Sequence, residues 1–339
     1  MSADERVAGG VPRTLHVRTI PDARRRLARG VLAALAAALA TRSAQGALPP
    51  NPPSPARSTP AGPSLPMMPT RPIPASGEAL PIVGLGTWIN FDVAPGSTDH
   101  QALPAVLDAL FAAGGTVIDS SPMYGRAERT VGELLAARAP APAAFVATKV
   151  WIRGREAGIA QMEQSMRLLG RDRIDLMQVH NLVDWRTQLA TLRDWKARGR
   201  VRYVGVTHHA SSAYDEVEAV LRAEPLDFLQ IDYAVDDRDA DERLLPLARD
   251  RGVAVLVNRP FGGGDLLRRL RGRPLPPLAA DVGATSWAQL ALAFLLSNRA
   301  VTCVIPGTGN PRFMAENAAA ASLPALSAAQ RRALVEAVR

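Results

Sequence analysis

Residues 145–180 read FVATKVWIRGREAGIAQMEQSMRLLGRDRIDLMQVH. An apolar run, Phe145–Lys149, comes first. A segment at 156–169 follows, with Ile159, Met162, Met166 and Leu169 at three- and four-residue spacing. A second apolar run, Ile174–His180, closes the stretch. The short runs have the length and content of strands buried on both faces, and the middle segment has the period of an amphipathic helix. Strand, helix and strand in this order predict a βαβ unit with parallel strands. Each strand-like run ends on a polar side chain, Lys149 in one and His180 in the other.

The alternation continues in both directions between residue 71 and the end of the chain. Strand-like runs lie at Ile82–Leu85, Thr116–Asp119, Tyr203–Thr207, Phe228–Ile231, Val253–Asn258 and Thr302–Ile305. Helical segments between them fall near 100–113, 126–138, 186–198, 211–222, 239–250 and 285–297, and two more, 312–320 and 327–338, follow the last strand. Eight such units in one domain predict an α/β protein, a closed (β/α)8 TIM barrel. A doubly wound open sheet is the alternative. Its GxGxxG phosphate loop after the first strand is missing, because the residues there are Gly84-Leu85-Gly86-Thr87-Trp88-Ile89. Ahead of the barrel, RPIP–ASGE–ALPIVGLG has a Gly-containing turn between two short runs and predicts an N-terminal β-hairpin.

Composition narrows the function classes. Hydrophobic residues make up 47% of the chain, enough for a large core, and the net charge is +8. Residues 1–70 contain nine Arg and three acids, so they carry +6 of that charge and the barrel region carries little. This distribution argues against a nucleic-acid partner for the barrel. A single cysteine, Cys303, excludes an internal disulfide and a multi-cysteine metal site, and no metal is expected. Its apolar surroundings predict a small buried hydrophobe. Of the 40 basic residues only Lys149 and Lys196 are lysines. A chain that uses Arg almost everywhere keeps an amine inside the strand ending at Lys149, which points to a chemical need for it.

The first 70 residues read differently from the rest. PDARRRLARGVLAALAAALATRSAQGA, residues 21–47, has three arginines, an apolar stretch Val31–Ala40 and then small residues. That is the order of a secretory signal, and the apolar part is too short for a stable membrane span. Arg24-Arg25-Arg26-Leu27 resembles a twin-arginine signal. It predicts export to the periplasm, with a cytoplasmic location if the leader does not function. Residues 49–74 hold eleven of the 28 prolines, an extended linker. The expected organisation is a leader at 1–47, a Pro-rich linker at 48–70 and a barrel at 71–339.

In a (β/α)8 barrel the side chains at the carboxyl ends of the strands ring the active site. Asp119, Lys149, His180, Thr207, Gln230 and Asn258 fall at such ends, and Tyr124 lies just past Asp119. Each has a structural explanation when taken singly: helix capping for Asp119, snorkelling for Lys149, a core histidine for His180 and packing for Tyr124. Together they form an acid, a phenol, an amine and an imidazole on one rim. A phenol can protonate a nascent alkoxide if its pKa is brought down from about 10. A neighbouring ammonium acts in that direction. Asp119 would hold Lys149 charged, and a neutral His180 would donate to the substrate carbonyl.

The segments GLGTW (84–88), IDSSPMYGRAE (118–128), ATKVW (147–151), RIDLMQVHN (173–181) and VIPGTGNPRFMAEN (304–317) resemble the aldo-keto reductase superfamily, in order and across residues 71–339. The resemblance implies an NAD(P)H-dependent oxidoreductase that reduces an aldehyde or ketone. Tyr124 would be the proton donor, Lys149 and Asp119 would tune it, and His180 would orient the carbonyl. Trp88, Trp151 and Asn181 would flank a small-molecule carbonyl substrate. The cofactor would be NADPH or NADH. Gly86 and Thr87 lie beside it, Thr207, His208 and Gln230 meet its carboxamide, and Asn258, Arg259 and Phe261 follow the seventh strand. Gly307, Thr308, Arg312, Glu316 and Asn317 approach the adenosine.

This chain departs from the family at His208, where Asn is usual, and at Asn258, where many members stack an aromatic ring. Relatives that prefer NADPH carry Lys at the position of Gly307 and Arg at that of Phe313, so at most a modest NADPH bias is expected. The insertion Phe261–Gly283 reads either as a solvated loop or as a lid. A monomer is expected. The alternatives are a nucleotide-binding redox sensor or partner subunit on the same fold, and an aldolase or isomerase using Lys149 as a Schiff base.

Overall fold

The computed structural model describes residues 67–138 and 143–339. The leader and most of the Pro-rich linker lie outside these. β1 (Thr70–Pro72) and β2 (Ala79–Pro81) pair antiparallel, Thr70 opposite Pro81, and form the expected hairpin. Its turn passes through Gly77 at φ +76°, a left-handed conformation that costs glycine little. Thr70 already pairs and Met68 is buried, so ordered structure begins inside the segment read as linker.

Eight parallel strands follow: β3 (Leu85–Gly86), β4 (Val117–Asp119), β5 (Phe145–Val150), β6 (Ile174–His180), β7 (Val201–His208), β8 (Phe228–Asp232), β9 (Ala254–Asn258) and β10 (Cys303–Val304). Their order in the sheet is the order in the chain. Parallel bridges Val83–Val304 and Gly86–Gly307 join the first strand to the last, so the sheet closes. Closure rules out the doubly wound alternative. A Cβ on Gly86 would lie 2.8 Å from the Ile305 carbonyl oxygen, so the seam needs glycine there. The first strand pairs later than Ile82–Leu85 predicted, because its earlier residues meet β10 through single bridges.

Helices wrap the outside: α1 (Thr98–Ala112), α2 (Ala127–Ala136), α3 (Arg155–Leu169), α4 (Trp185–Ala197), α5 (Tyr214–Ala223), α6 (Asp239–Glu242), α7 (Leu244–Asp250), α8 (Asp265–Arg269), α9 (Leu278–Val282), α10 (Trp287–Leu296), α11 (Pro311–Ala319) and α12 (Ala328–Ala337). The single helix expected at 239–250 is two, interrupted at Arg243 with φ −124° and ψ −61°. α11 starts as its sequence predicts. Asn310 accepts from the Arg312 amide at 2.9 Å, and Pro311 takes a first-turn position where its missing N–H costs nothing. Among the described residues no helix is long and apolar enough to cross a membrane, and no group of His, Cys, Asp and Glu is placed to hold a metal.

Strand alternation sends every second side chain into the barrel. The lower interior is one apolar cluster that includes Val117, Phe145, Ala147, Leu176, Tyr203, Phe228, Leu256 and Cys303. Ile73 and Leu80 of the hairpin belong to it and plug the amino-terminal end. Stepping two or four residues along the same faces reaches Asp119, Lys149, Gln178, His180, Thr207, Gln230 and Asn258. One alternation therefore makes a dry floor and a polar ceiling.

Candidate active site

Lys149 and Asp119 form the centre of that ceiling. The Lys149 ammonium, with no exposed surface, donates to Asp119 Oδ2 at 2.7 Å and to the Ser120 carbonyl oxygen at 2.7 Å. Full burial excludes the snorkelling reading. Asp119 Oδ1 accepts from Gln230 Nε2 at 2.9 Å and from Gln178 Nε2 at 3.3 Å. These donors fix the buried carboxylate, which in turn holds the ammonium in place. Burial pulls the Lys149 pKa down, but Asp119 and Tyr124 outweigh it, and the net shift is upward. Such an ammonium is not the free amine that a Schiff base needs.

Tyr124 stands over this pair, with the Lys149 Nζ 5.0 Å from its ring centroid. Its pKa moves opposite to the sequence expectation. Burial raises it, the Asp119 carboxylate adds to the rise, and the Lys149 ammonium offsets only part. The phenol is therefore held protonated, the form in which an acid donates.

The His180 ring packs edge-on to Tyr124, centroids 5.9 Å apart. Its Nδ1 lies 3.0 Å from Ser121 Oγ, which accepts from the Met123 amide at 3.2 Å. Burial first, then Lys149, His209 and His208, lower the His180 pKa to about 2, so the ring is neutral.

A cavity of about 550 Å³ opens above these groups. Asp119 and Tyr124 line it with Gly86, Thr87, Trp88, Asn258, Arg259, Phe261, Gly307, Thr308, Glu316 and Asn317. The remaining residues singled out from sequence lie elsewhere. Thr207 and Gln230 are buried and bond to each other at 3.0 Å, so they brace Asp119 instead of facing the cavity. His208 stacks on His209 at 5.5 Å. Asn181, at φ +51°, has its Oδ1 3.1 Å from His209 Nδ1. Trp151, 41% exposed, reaches toward His180 with centroids 6.3 Å apart. Arg312 is exposed and is not among the residues that line the cavity, whereas Phe313, about 100° further round the helix, is.

The segment 261–283 settles into a wall. Leu266, Leu270, Leu278, Ala279 and Val282 are buried, and Phe261, Gly263, Gly264 and Leu267 line the cavity. It is neither free of the core nor a solvated loop. Sequence reading missed Ser121, Gln178 and Trp287. Gln178 had an available signal, since it precedes His180 by two and must share its face.

The chain belongs to the aldo/keto reductase family, whose model matches residues 82–339. The aldo-keto reductase str7 of Strobilurus tenacellus is 30% identical, over 64% of this chain and 76% of its own. The NADH-specific methylglyoxal reductase of Escherichia coli is 26% identical, over 74% of this chain and 93% of its own. Among solved structures, an aldo-keto reductase of Klebsiella pneumoniae in complex with NADPH superposes with a TM-score of 0.67 at 25% identity, covering 80% of this chain and 96% of that one.

The cavity suits a dinucleotide on its own terms. Its lining includes both Tyr124 and Asn317 and is mostly apolar, with Arg259 as the cation on its wall. Gly307 packs closely on the cavity wall: a Cβ would come within 3.1 Å of the Gly86 carbonyl oxygen and 3.3 Å of Asn90 Nδ2. Asn258 Oδ1 is buried without a hydrogen-bond partner.

Proposed function

We propose that this protein reduces an aldehyde or ketone to an alcohol with NADPH or NADH, taking the proton from Tyr124. The observation that carries the reading is the buried Lys149–Asp119 pair placed under a protonated phenol at the floor of a cleft. The nicotinamide, when bound, supplies the hydride. The chain's own residues do the rest. Tyr124 gives its hydroxyl proton to the oxygen that becomes the alcohol. Lys149 stabilises the phenolate left behind, and Asp119 keeps Lys149 charged. With the Ser121 hydroxyl donating to Nδ1, neutral His180 carries its proton on Nε2 and orients the carbonyl by donating to it. Trp88, Trp151 and Asn181 border the substrate, the first two as partly exposed aromatic faces.

Arg259 is assigned to the cofactor's diphosphate. It sits at φ +47°, a left-handed conformation unusual for Arg, with its guanidinium beside Gly263. Arg259→Ala is expected to raise the Kd of NADH and of NADPH by the same factor, about tenfold or more, since charge-assisted bonds contribute ~1.5–3 kcal/mol. Unchanged constants in calorimetry would remove Arg259 from the site.

The leader and linker, outside the described residues, are proposed to carry the barrel through a twin-arginine route to the periplasm. Replacing Arg24, Arg25 and Arg26 together by Lys should retain the protein in the cytoplasm. Equal periplasmic fractions for variant and wild type would count against export by this route.

A further inference from the structure

Three of the four residues after His180 have left-handed backbones although none is glycine: Asn181 at φ +51°, Leu182 at φ +53° and Asp184 at φ +49°. Asn and Asp tolerate this region better than Leu does, yet a run of three persists only where its surroundings hold it. Asp184 is held by the loop after β5. Its Oδ2 accepts from the Gly154 amide at 2.8 Å, and its Oδ1 accepts from the Thr187 hydroxyl at 2.9 Å. These donors, the Gly154 amide first, keep its carboxyl below the ordinary aspartate range, so it is an acceptor through neutral pH. In the first turn of α4 the fully buried Gln188 donates through Nε2 to the carbonyl oxygens of Ile152 and Gly154, both at 3.0 Å. Gly158, inside α3, makes room for that amide, because a Cβ there would collide with the Gln188 side-chain oxygen. Glycine inside a helix lowers its stability, and the same Gln188 oxygen is buried without a partner. Gln161 of α3 accepts from the Trp151 amide at 2.6 Å.

We infer that Asp184 and Gln188 are positioning residues: they clamp the loop 151–154 onto α4 and so fix the Trp151 ring beside His180 as a wall for carbonyl compounds with a flat aromatic body. The inference rests on the proposed carbonyl reduction at Tyr124 and His180. The left-handed run, the interior Gly158 and the orphaned Gln188 oxygen each lower local stability without a local gain, and all three meet at this clamp. The Trp151 ring is 41% exposed and lies 6.3 Å from His180 between centroids, so burial in the core does not hold it. Its backbone is held instead. Asp184, Gln188 and Gln161 take the N–H groups of Trp151 and Gly154 and the C=O groups of Ile152 and Gly154. An aromatic face fixed in this way offers its contact to a flat substrate without the entropy cost of ordering a loop at binding.

The test is steady-state kinetics on two aldehydes, propanal and 4-nitrobenzaldehyde, together with the Kd of NADH and the melting temperature. Asp184→Gly removes the acceptor but suits φ +49°, so the melting temperature should change little. Its KM for 4-nitrobenzaldehyde should rise about fivefold, in keeping with loss of one aromatic contact. Its kcat, its KM for propanal and its Kd for NADH should stay within about twofold, the split expected when only substrate binding is lost. Asp184→Asn keeps an acceptor and tolerates the left-handed backbone, so it should restore the wild-type KM. Trp151→Ala should raise the same KM by at least as much, and adding Asp184→Gly to it should change nothing further. If wild type reduces both aldehydes and Asp184→Gly matches it on 4-nitrobenzaldehyde, the clamp is wrong while carbonyl reduction stands. A variant that loses melting temperature, NADH affinity and both aldehydes together makes Asp184 structural only, and this also overturns the clamp. A wild type that takes propanal and not the aromatic aldehyde overturns the role given to Trp151. If neither aldehyde is reduced with NADH or NADPH, the reading as a carbonyl reductase falls and the clamp falls with it.

Discussion

Tyr124→Phe is expected to abolish carbonyl reduction and leave dinucleotide binding intact. The substitution removes one hydroxyl from a half-buried ring whose packing against His180 survives. General acid catalysis typically contributes about 10²–10⁴-fold, so kcat should fall by at least that much. The Kd of NADH should stay within about twofold, because the hydroxyl faces the carbonyl and not the cofactor's anchoring groups. The pH profile of wild type follows from the direction of the Tyr124 shift. A raised pKa keeps the proton on at higher pH, so the loss of activity with alkali should begin above the ordinary tyrosine range. A variant with wild-type turnover, or a wild type that loses activity near neutrality through a phenol titration, would refute the assignment of Tyr124.

Lys149→Met should be the most damaging change to stability. It leaves the Asp119 carboxylate, 2% exposed, without its cation. Breaking a buried pair in this way costs about 3–5 kcal/mol. Asp119→Asn in the same chain should recover much of that loss, because a neutral amide needs no counter-charge. Activity should not return in the double variant, since no ammonium remains to stabilise phenolate. Lys149→Arg should also lose activity, because the larger planar guanidinium cannot enter a slot with no exposed surface and still make both 2.7 Å contacts. Denaturation curves and turnover measured on the three variants separate the two roles. If the double variant reduces carbonyls as wild type does, Lys149 is structural only.

The two lysines show how far an argument from residue choice goes. Lys149 lies at the centre of the ceiling, as its place in a strand foretold. Lys196 pairs with Asp227 at 2.6 Å on the helical exterior, with its side chain 43% exposed, where an Arg would serve. Rarity of lysine therefore marked a candidate, and strand position selected between the two.

The class of fold was legible in the sequence because burial on both faces makes each strand an apolar run, and each covering helix carries its own period. The positions of Asp119, Lys149 and His180 were legible for the same reason: each ends a run. Tertiary structure decided what those runs do to one another. Closure between Val83 and Val304 depends on two segments far apart in the chain. Thr207 and Gln230 lie at strand ends like the other ceiling residues, yet Gln230 turns to donate to the second oxygen of Asp119, and Thr207 in turn donates to Gln230. The direction of the Tyr124 shift was likewise hidden, since a list of neighbouring charges names the ammonium but not the depth of burial that outweighs it. Local periodicity is written in adjacent residues. Desolvation and hydrogen-bond competition depend on every element packed around a group, and they are set only when the barrel closes.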